Sequence, residues 1–200
     1  VNLIGFTERT PLQKKPIPEI LNGTKDVIGL AQTGTGKTAA FGLPMIELTD
    51  FSIKKVQGLI ICPTRELCVQ IASDLTNFTK FIKGSSIVSV YGGASMGSQI
   101  SSLKRGANIV VATPGRLHDL IRRKSIDLSH VKYVVLDEAD EMMTMGFKED
   151  LDVILSKTPS EKRTWLFSAT MPREVAKITN NYMDNPVEIL AGKKNSLAQN

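Results

Sequence analysis

Two hundred residues, 42% of them hydrophobic and 22% charged, suffice to bury one sizeable core without disulfide or metal staples. No apolar run approaches the ~20 residues of a membrane-spanning helix, and no signal peptide is visible. The net charge of +5 permits a polyanionic partner without demanding one.

Cys62 and Cys68 are the only cysteines, and two histidines are too few to complete a zinc site with them. Both thiols are expected to be reduced and buried, which suits a cytoplasmic protein. The chain begins at Val1 and not at methionine, so it is expected to be a piece of something longer.

Taken in order, Thr10 can cap a helix with Pro11 at its first position, turning Leu12, Ile17, Ile20 and Leu21 inward. Pro16 and Pro18 are expected to keep that helix short or kinked, and Asn22-Gly23 ends it. Val27 to Leu30 reads as a short buried strand, followed by a Gly-rich turn. Lys37-Thr38-Ala39-Ala40-Phe41 then opens a helix that runs through Leu48. Val56 to Cys62 predicts a second strand. It runs into Pro63-Thr64-Arg65-Glu66-Leu67 and a helix with Leu67, Ile71, Leu75 and Phe78 on one stripe. Ile87 to Tyr91 is a third strand ending at Gly92-Gly93. Asn108 to Ala112 is a fourth, with Thr113-Pro114-Gly115-Arg116 immediately after it. Tyr133 to Leu136 is a fifth and leads into Asp137-Glu138-Ala139-Asp140. Thr164 to Phe167 is a sixth, closed by Ser168-Ala169-Thr170. A helix starts near Pro172, Val187 to Leu190 is a seventh strand, and the polar stretch from Gly192 to Asn200 reads as a linker.

Near-continuous apolar strands alternating with amphipathic helices imply the α/β class, with a mostly parallel sheet covered on both faces. Nearly every polar cluster follows a strand directly, at the carboxyl edge where open α/β sheets place their ligands.

The first of these clusters has the strand, glycine turn and helix order of a phosphate-binding loop. In Ala31-Gln32-Thr33-Gly34-Thr35-Gly36-Lys37-Thr38, the glycines let backbone N–H groups turn toward a polyphosphate, and the helix N-terminus adds partial positive charge. Lys37 would reach the β- and γ-phosphates, and the Thr38 hydroxyl would bind Mg²⁺. Ala31 stands where the general pattern has glycine. Asp137, at a strand tip, can hold Mg²⁺ through its waters, and Glu138 can orient and deprotonate an attacking water. Acids after a strand can also merely cap the next helix, but a phosphate loop in the same chain tips the reading toward chemistry.

From Gly5 to Thr170 these stretches, in order, resemble the first RecA-like domain of a DEAD-box RNA helicase of bacterial type, a superfamily 2 ATPase. In that family alanine is normal at the first position of the phosphate loop, which accounts for Ala31. Gly5-Phe6 with Thr10-Pro11-Leu12-Gln13 is similar to the adenine-reading Q motif. Gln13 carries the donor and acceptor suited to adenine N6 and N7, while Phe6 either stacks on the base or fills the core. The resemblance makes Pro63, Thr64, Arg65, Gly92, Gly93, Thr113, Pro114, Gly115 and Arg116 RNA-contacting residues. Arginines beside small residues, without an aromatic platform, suit sequence-independent binding of the sugar-phosphate backbone. Ser168 and Thr170 would bond Asp140 and couple the nucleotide site to RNA, with helix capping a competing role for Thr170.

The resemblance further implies an ATP-binding domain over residues 1–191 and a linker over 192–200. That linker would lead to a second RecA-like domain, which carries the arginine fingers and half of the RNA surface. ATP and Mg²⁺ are the implied cofactors and RNA the partner. The 200 residues alone are expected to be monomeric and nearly inactive. The family's aromatic residue upstream of the Q motif would precede Val1. A superfamily 2 DNA translocase and a non-catalytic RNA clamp are the alternatives; Gln13 and Thr113-Pro114-Gly115-Arg116 argue against the first. Trp165, Met142, Met143 and Met145 are expected in the core. His118, His130, Lys54-Lys55 and Arg122-Arg123-Lys124 are expected to be surface residues.

Overall fold

Seven strands form one sheet in the order β3-β4-β2-β5-β6-β1-β7, and every pairing is parallel. The computed structural model describes residues 16–31 and 36–190. Helix α1 (Pro16–Asn22) precedes β1 (Val27–Leu30), and α2 (Lys37–Leu48) leads to β2 (Gly58–Ile61). Helix α3 (Arg65–Phe78) joins β2 to β3 (Ile87–Val90), and α4 (Met96–Lys104) joins β3 to β4 (Ile109–Ala112). Helix α5 (Pro114–Arg122) then leads to β5 (Tyr133–Leu136). Helices α6 (Ala139–Thr144) and α7 (Lys148–Ser156) precede β6 (Arg163–Ser168), and α8 (Arg173–Tyr182) precedes β7 (Val187–Leu190).

The strands are buried on both sides, so alternate residues feed two separate apolar layers. Leu59, Ile61, Val110, Val134, Leu136 and Leu166 join the layer that receives α5, α7 and α8. Ile60, Ile109, Val111, Val135, Trp165 and Phe167 join the other, with Ile20 of α1, Phe41 and Met45 of α2, and Ile71 and Leu75 of α3. Beneath the carboxyl edge of β1 the packing has no slack. A Cβ on Gly29 would lie 2.7 Å from Phe167 Cδ1, so only glycine fits that position of β1.

Several local expectations are adjusted. Pro16 and Pro18 both lie in the first turn of α1, where no N–H is required, so neither kinks it. The Thr10-Pro11 cap lies outside the described residues. Strands β2, β3 and β4 are shorter than the apolar runs around them, whereas β6 is longer by a residue at each end. On α3 the fully buried stripe is Cys68, Ile71 and Leu75, with Leu67 and Phe78 only partly covered. Met142 is buried as expected, but Met145 is 46% exposed, because it follows the end of the short helix α6. Cys62 and Cys68 are free and buried. Among the described residues no helix is long and apolar enough to cross a membrane.

Candidate active site

Strand β1 delivers the chain to the carboxyl edge at Ala31, which is buried and donates its N–H to the Ser168 carbonyl at 3.0 Å. Helix α2 begins just beyond Gly36, whose φ of 79° is the left-handed conformation that favours glycine. The cap residue Gly36 carries no side chain, and the N-terminus of α2 points its partial positive charge at this edge. Lys37 and the half-buried Thr38 are the first two residues of that helix.

The Lys37 side chain is only 7% exposed, and its ammonium lies 3.4 Å from Asp137 Oδ1 and 3.9 Å from Glu138 Oε1. Strand β5 carries Asp137 into place, and the Asp137 N–H continues the β5–β2 ladder by donating to the Ile61 carbonyl. Asp137 is 2% exposed, and burial raises its carboxyl pKa against the opposing pull of Lys37. Glu138 is raised too, first by burial and then by the charge of Asp137. One ammonium thus balances two adjacent carboxylates, an arrangement that leaves room for more positive charge.

Glu138 has φ 52° and ψ 51°, a left-handed conformation that costs energy in any residue with a Cβ. It precedes α6, yet its side chain makes no capping bond, so helix capping does not explain the two acids. Asp140 is fixed from β6. Its N–H donates to Ser168 Oγ at 3.1 Å, and its Oδ2 accepts from the Thr170 N–H at 2.9 Å and the Thr170 hydroxyl at 2.8 Å. Burial alone would raise the Asp140 carboxyl, but the bonds from Thr170 and Ser168 outweigh it and hold the pKa low. Thr170 therefore serves Asp140, and α8 has no side-chain cap.

Along the same edge toward β3, Thr64 caps α3 by accepting the Leu67 N–H, and Pro63 is buried beside it. Arg65 is exposed, with its guanidinium 5.1 Å from the centre of the Tyr91 ring. Gly92 is open, and a Cβ on Gly93 would stand 3.4 Å from Arg65 Nη1. Thr113 and Pro114 are buried at the start of α5, with half-buried Gly115 following. Arg116 donates to the Ala94 carbonyl at 3.0 Å and to Gln99 Oε1 at 2.9 Å, so it secures the loop after β3. Gln99 in turn donates to the Tyr91 carbonyl. Neither Gln99 nor Tyr91 is marked as functional by anything local in the sequence. Phe6, Gln13, Gln32, Thr33, Gly34 and Thr35 lie outside the described residues.

The DEAD/DEAH box helicase family profile matches residues 10–178. The ATP-dependent RNA helicase CshA of Listeria monocytogenes is 52% identical over 186 residues, covering 93% of this chain and 35% of that protein. The ATP-dependent RNA helicase DeaD of Escherichia coli is 47% identical over 189 residues, covering 94% of this chain and 30% of its own length. The chain therefore spans about a third of the curated relatives it matches. A DEAD box protein from the hyperthermophile Methanococcus jannaschii superposes with a TM-score of 0.91 at 43% identity, covering 96% of this chain and 52% of that one. With Lys37 facing the paired acids at the sheet edge and the family profile matched over most of its length, this chain belongs to the DEAD/DEAH box helicase family.

Proposed function

We propose that these residues form the ATP-binding half of an ATP-dependent RNA helicase, in which a second RecA-like domain in cis completes both the hydrolytic site and the RNA track. One observation carries the reading: a buried lysine at a helix start, 3.4 Å from a buried aspartate and 3.9 Å from a strained glutamate.

Lys37 and the α2 N–H groups would hold the phosphate oxygens of a nucleotide, with Lys37 toward the β- and γ-phosphates. The Thr38 hydroxyl and the Asp137 carboxylate form a hard-oxygen donor set suited to Mg²⁺, which supplies charge neutralisation at the phosphates. Both the Glu138 N–H and Lys37 fall on Asp137 Oδ1. Glu138, with its pKa raised, orients the attacking water and takes its proton. Gln13 reads adenine and Phe6 stacks on it. Arg65, the Gly92-Gly93 turn and the start of α5 present a sequence-independent RNA track, with Arg116 bracing the turn. Free buried thiols suit work in the reducing cytoplasm.

The test is nucleotide titration. Lys37→Ala should weaken fluorescent ADP and ATP binding about tenfold or more with the fold intact, as expected when a charge-assisted hydrogen bond is removed. Gln13→Ala should erode the preference for ADP over GDP. Unchanged affinity in Lys37→Ala would refute the assignment.

A further inference from the structure

Two basic runs that look like ordinary solvated charge in the sequence converge in the fold. Lys54, Lys55, Lys104 and Lys124, from three separate segments, line one cleft of about 360 Å³ at the end of the domain opposite the nucleotide edge. Asp127 is the only acid in its lining, and it lies 3.7 Å from Lys55. Among the described residues, Lys54, Lys104 and Lys124 are paired with no carboxylate. Arg105 is held by hydroxyls instead, donating to Ser101 Oγ and Ser102 Oγ.

A second cleft of about 610 Å³ adjoins the first and shares Lys54 and Gly106 with it. It follows β3, an edge strand of the sheet, and α4, and its lining contains no acid. It starts at Tyr91 and Ala94, beside Arg65 and Arg116, and passes Ser98 and Ser102 to reach Arg105 and Lys54. The α4 rise sets that path at roughly 13 Å. The shared boundary is shaped for the lysine: Gly106 has φ 98°, and a Cβ there would stand 3.0 Å from Lys54 Cβ.

We propose that this continuous channel is a second RNA-binding surface, which carries the strand leaving the upper edge down along α4 to the lysine cluster. The inference rests on the reading of that edge as an RNA track. Charge complementarity and continuity with the track favour RNA, and the serine hydroxyls and unpaired outer edge of β3 supply donors for phosphate oxygens. An acidic polypeptide would satisfy the charge but gives no reason for the channel to begin at Arg65 and Arg116.

The test measures Kd of the chain for oligouridylates of about 5 and about 15 nucleotides at several salt concentrations. It compares the wild type, Arg65→Ala, and the combined Lys54→Gln, Lys104→Gln and Lys124→Gln variant. The combined variant should bind the long RNA, and only the long RNA, about tenfold or more weakly. Its salt slope should flatten by about 2, at ~0.7 for each phosphate that the three lysines no longer neutralise. Arg65→Ala should weaken both lengths. If the combined variant binds both lengths as the wild type does while Arg65→Ala weakens them, the channel is refuted and the track stands. If Arg65→Ala changes nothing while the combined variant fails to hold the long RNA, the channel stands and the assignment of Arg65 falls. Absence of all RNA binding by the wild type refutes both. Polyglutamate displacing the long RNA at equal charge concentration would mark the surface as one for acidic protein and overturn the proposal.

Discussion

Asp140 is where a single side chain joins two strand ends. Its carboxylate takes two bonds from Thr170 and its N–H bonds Ser168, so α6 cannot shift without moving the end of β6. Because Asp137 and Glu138 lie three and two residues before it, a force on the segment after β6 is passed toward the acids. Thr170→Val keeps the backbone bond and removes the hydroxyl donor. The Asp140 pKa should rise toward the ordinary carboxylate value, visible in an NMR pH titration, and stability should fall by about 1 kcal/mol or less at this exposed position. The pKa is depressed in the fold, so this stabilisation is present above the ordinary carboxylate pKa and is lost as pH falls through the depressed one. Mg·ADP affinity should not change; if it drops sharply, Thr170 belongs to the nucleotide site itself. The partners Asp140, Ser168 and Thr170 were legible in the sequence because strand ends gather at one edge of a parallel sheet. The Arg116 to Gln99 bond was not, since it depends on how the turn after β3 folds back on α5.

At the level of elements, the amino ends of β1 and β6 and the approach to β7 are fastened by a residue that the sequence does not advertise. Asp26 is 5% exposed and accepts the Thr164 N–H at 2.6 Å on one oxygen and the Asp184 N–H at 2.7 Å on the other. An asparagine offers one acceptor oxygen, so Asp26→Asn leaves a buried N–H facing an amide donor. It should cost about 1–3 kcal/mol in urea unfolding at neutral pH. Burial outweighs those bonds and raises the Asp26 pKa above its ordinary 3.8. The folded state therefore holds this proton more tightly than the unfolded one, so the wild type gains stability as pH falls from the raised pKa toward 3.8. The stability gap to Asp26→Asn should widen over that window; a gap that narrows would mean the carboxylate is favoured by the fold. Strand and helix identities were legible because each apolar run had the right period and length. Strand ends and strand order were not, since ladder partners far apart in sequence set both, as when Gln57 rather than a strand residue closes the entry to β5 by accepting the Lys132 and Tyr133 N–H groups.

For the molecule as a whole, the proposed function makes the described edge a half-site. It gathers one buried ammonium, two carboxylates and a helix N-terminus, which would hold Mg·ATP with Lys37 as the cation set against the two acids. Phosphoryl transfer develops charge on the equatorial oxygens, and an arginine supplied from outside is worth ~10³–10⁵ in rate. That factor is about tenfold larger, range for range, than what Glu138 adds as a base, which is ~10²–10⁴ and requires the water to be held in line. The chain covers about half of its structural neighbour and a third of its curated relatives, and the proposed function would place the further cation and the rest of the RNA track in a second domain. Residues 1–200 should accordingly bind Mg·ADP and Mg·ATP, release phosphate near the background rate with or without RNA, and separate no duplex. Adding the downstream region should switch on RNA-stimulated phosphate release. Glu138→Gln in that longer protein should then abolish turnover and spare nucleotide binding, because its carboxylate touches Lys37 only at 3.9 Å and Asp137 remains to hold the ion. RNA-stimulated turnover by the 200 residues alone would show that this edge already carries every group the reaction needs.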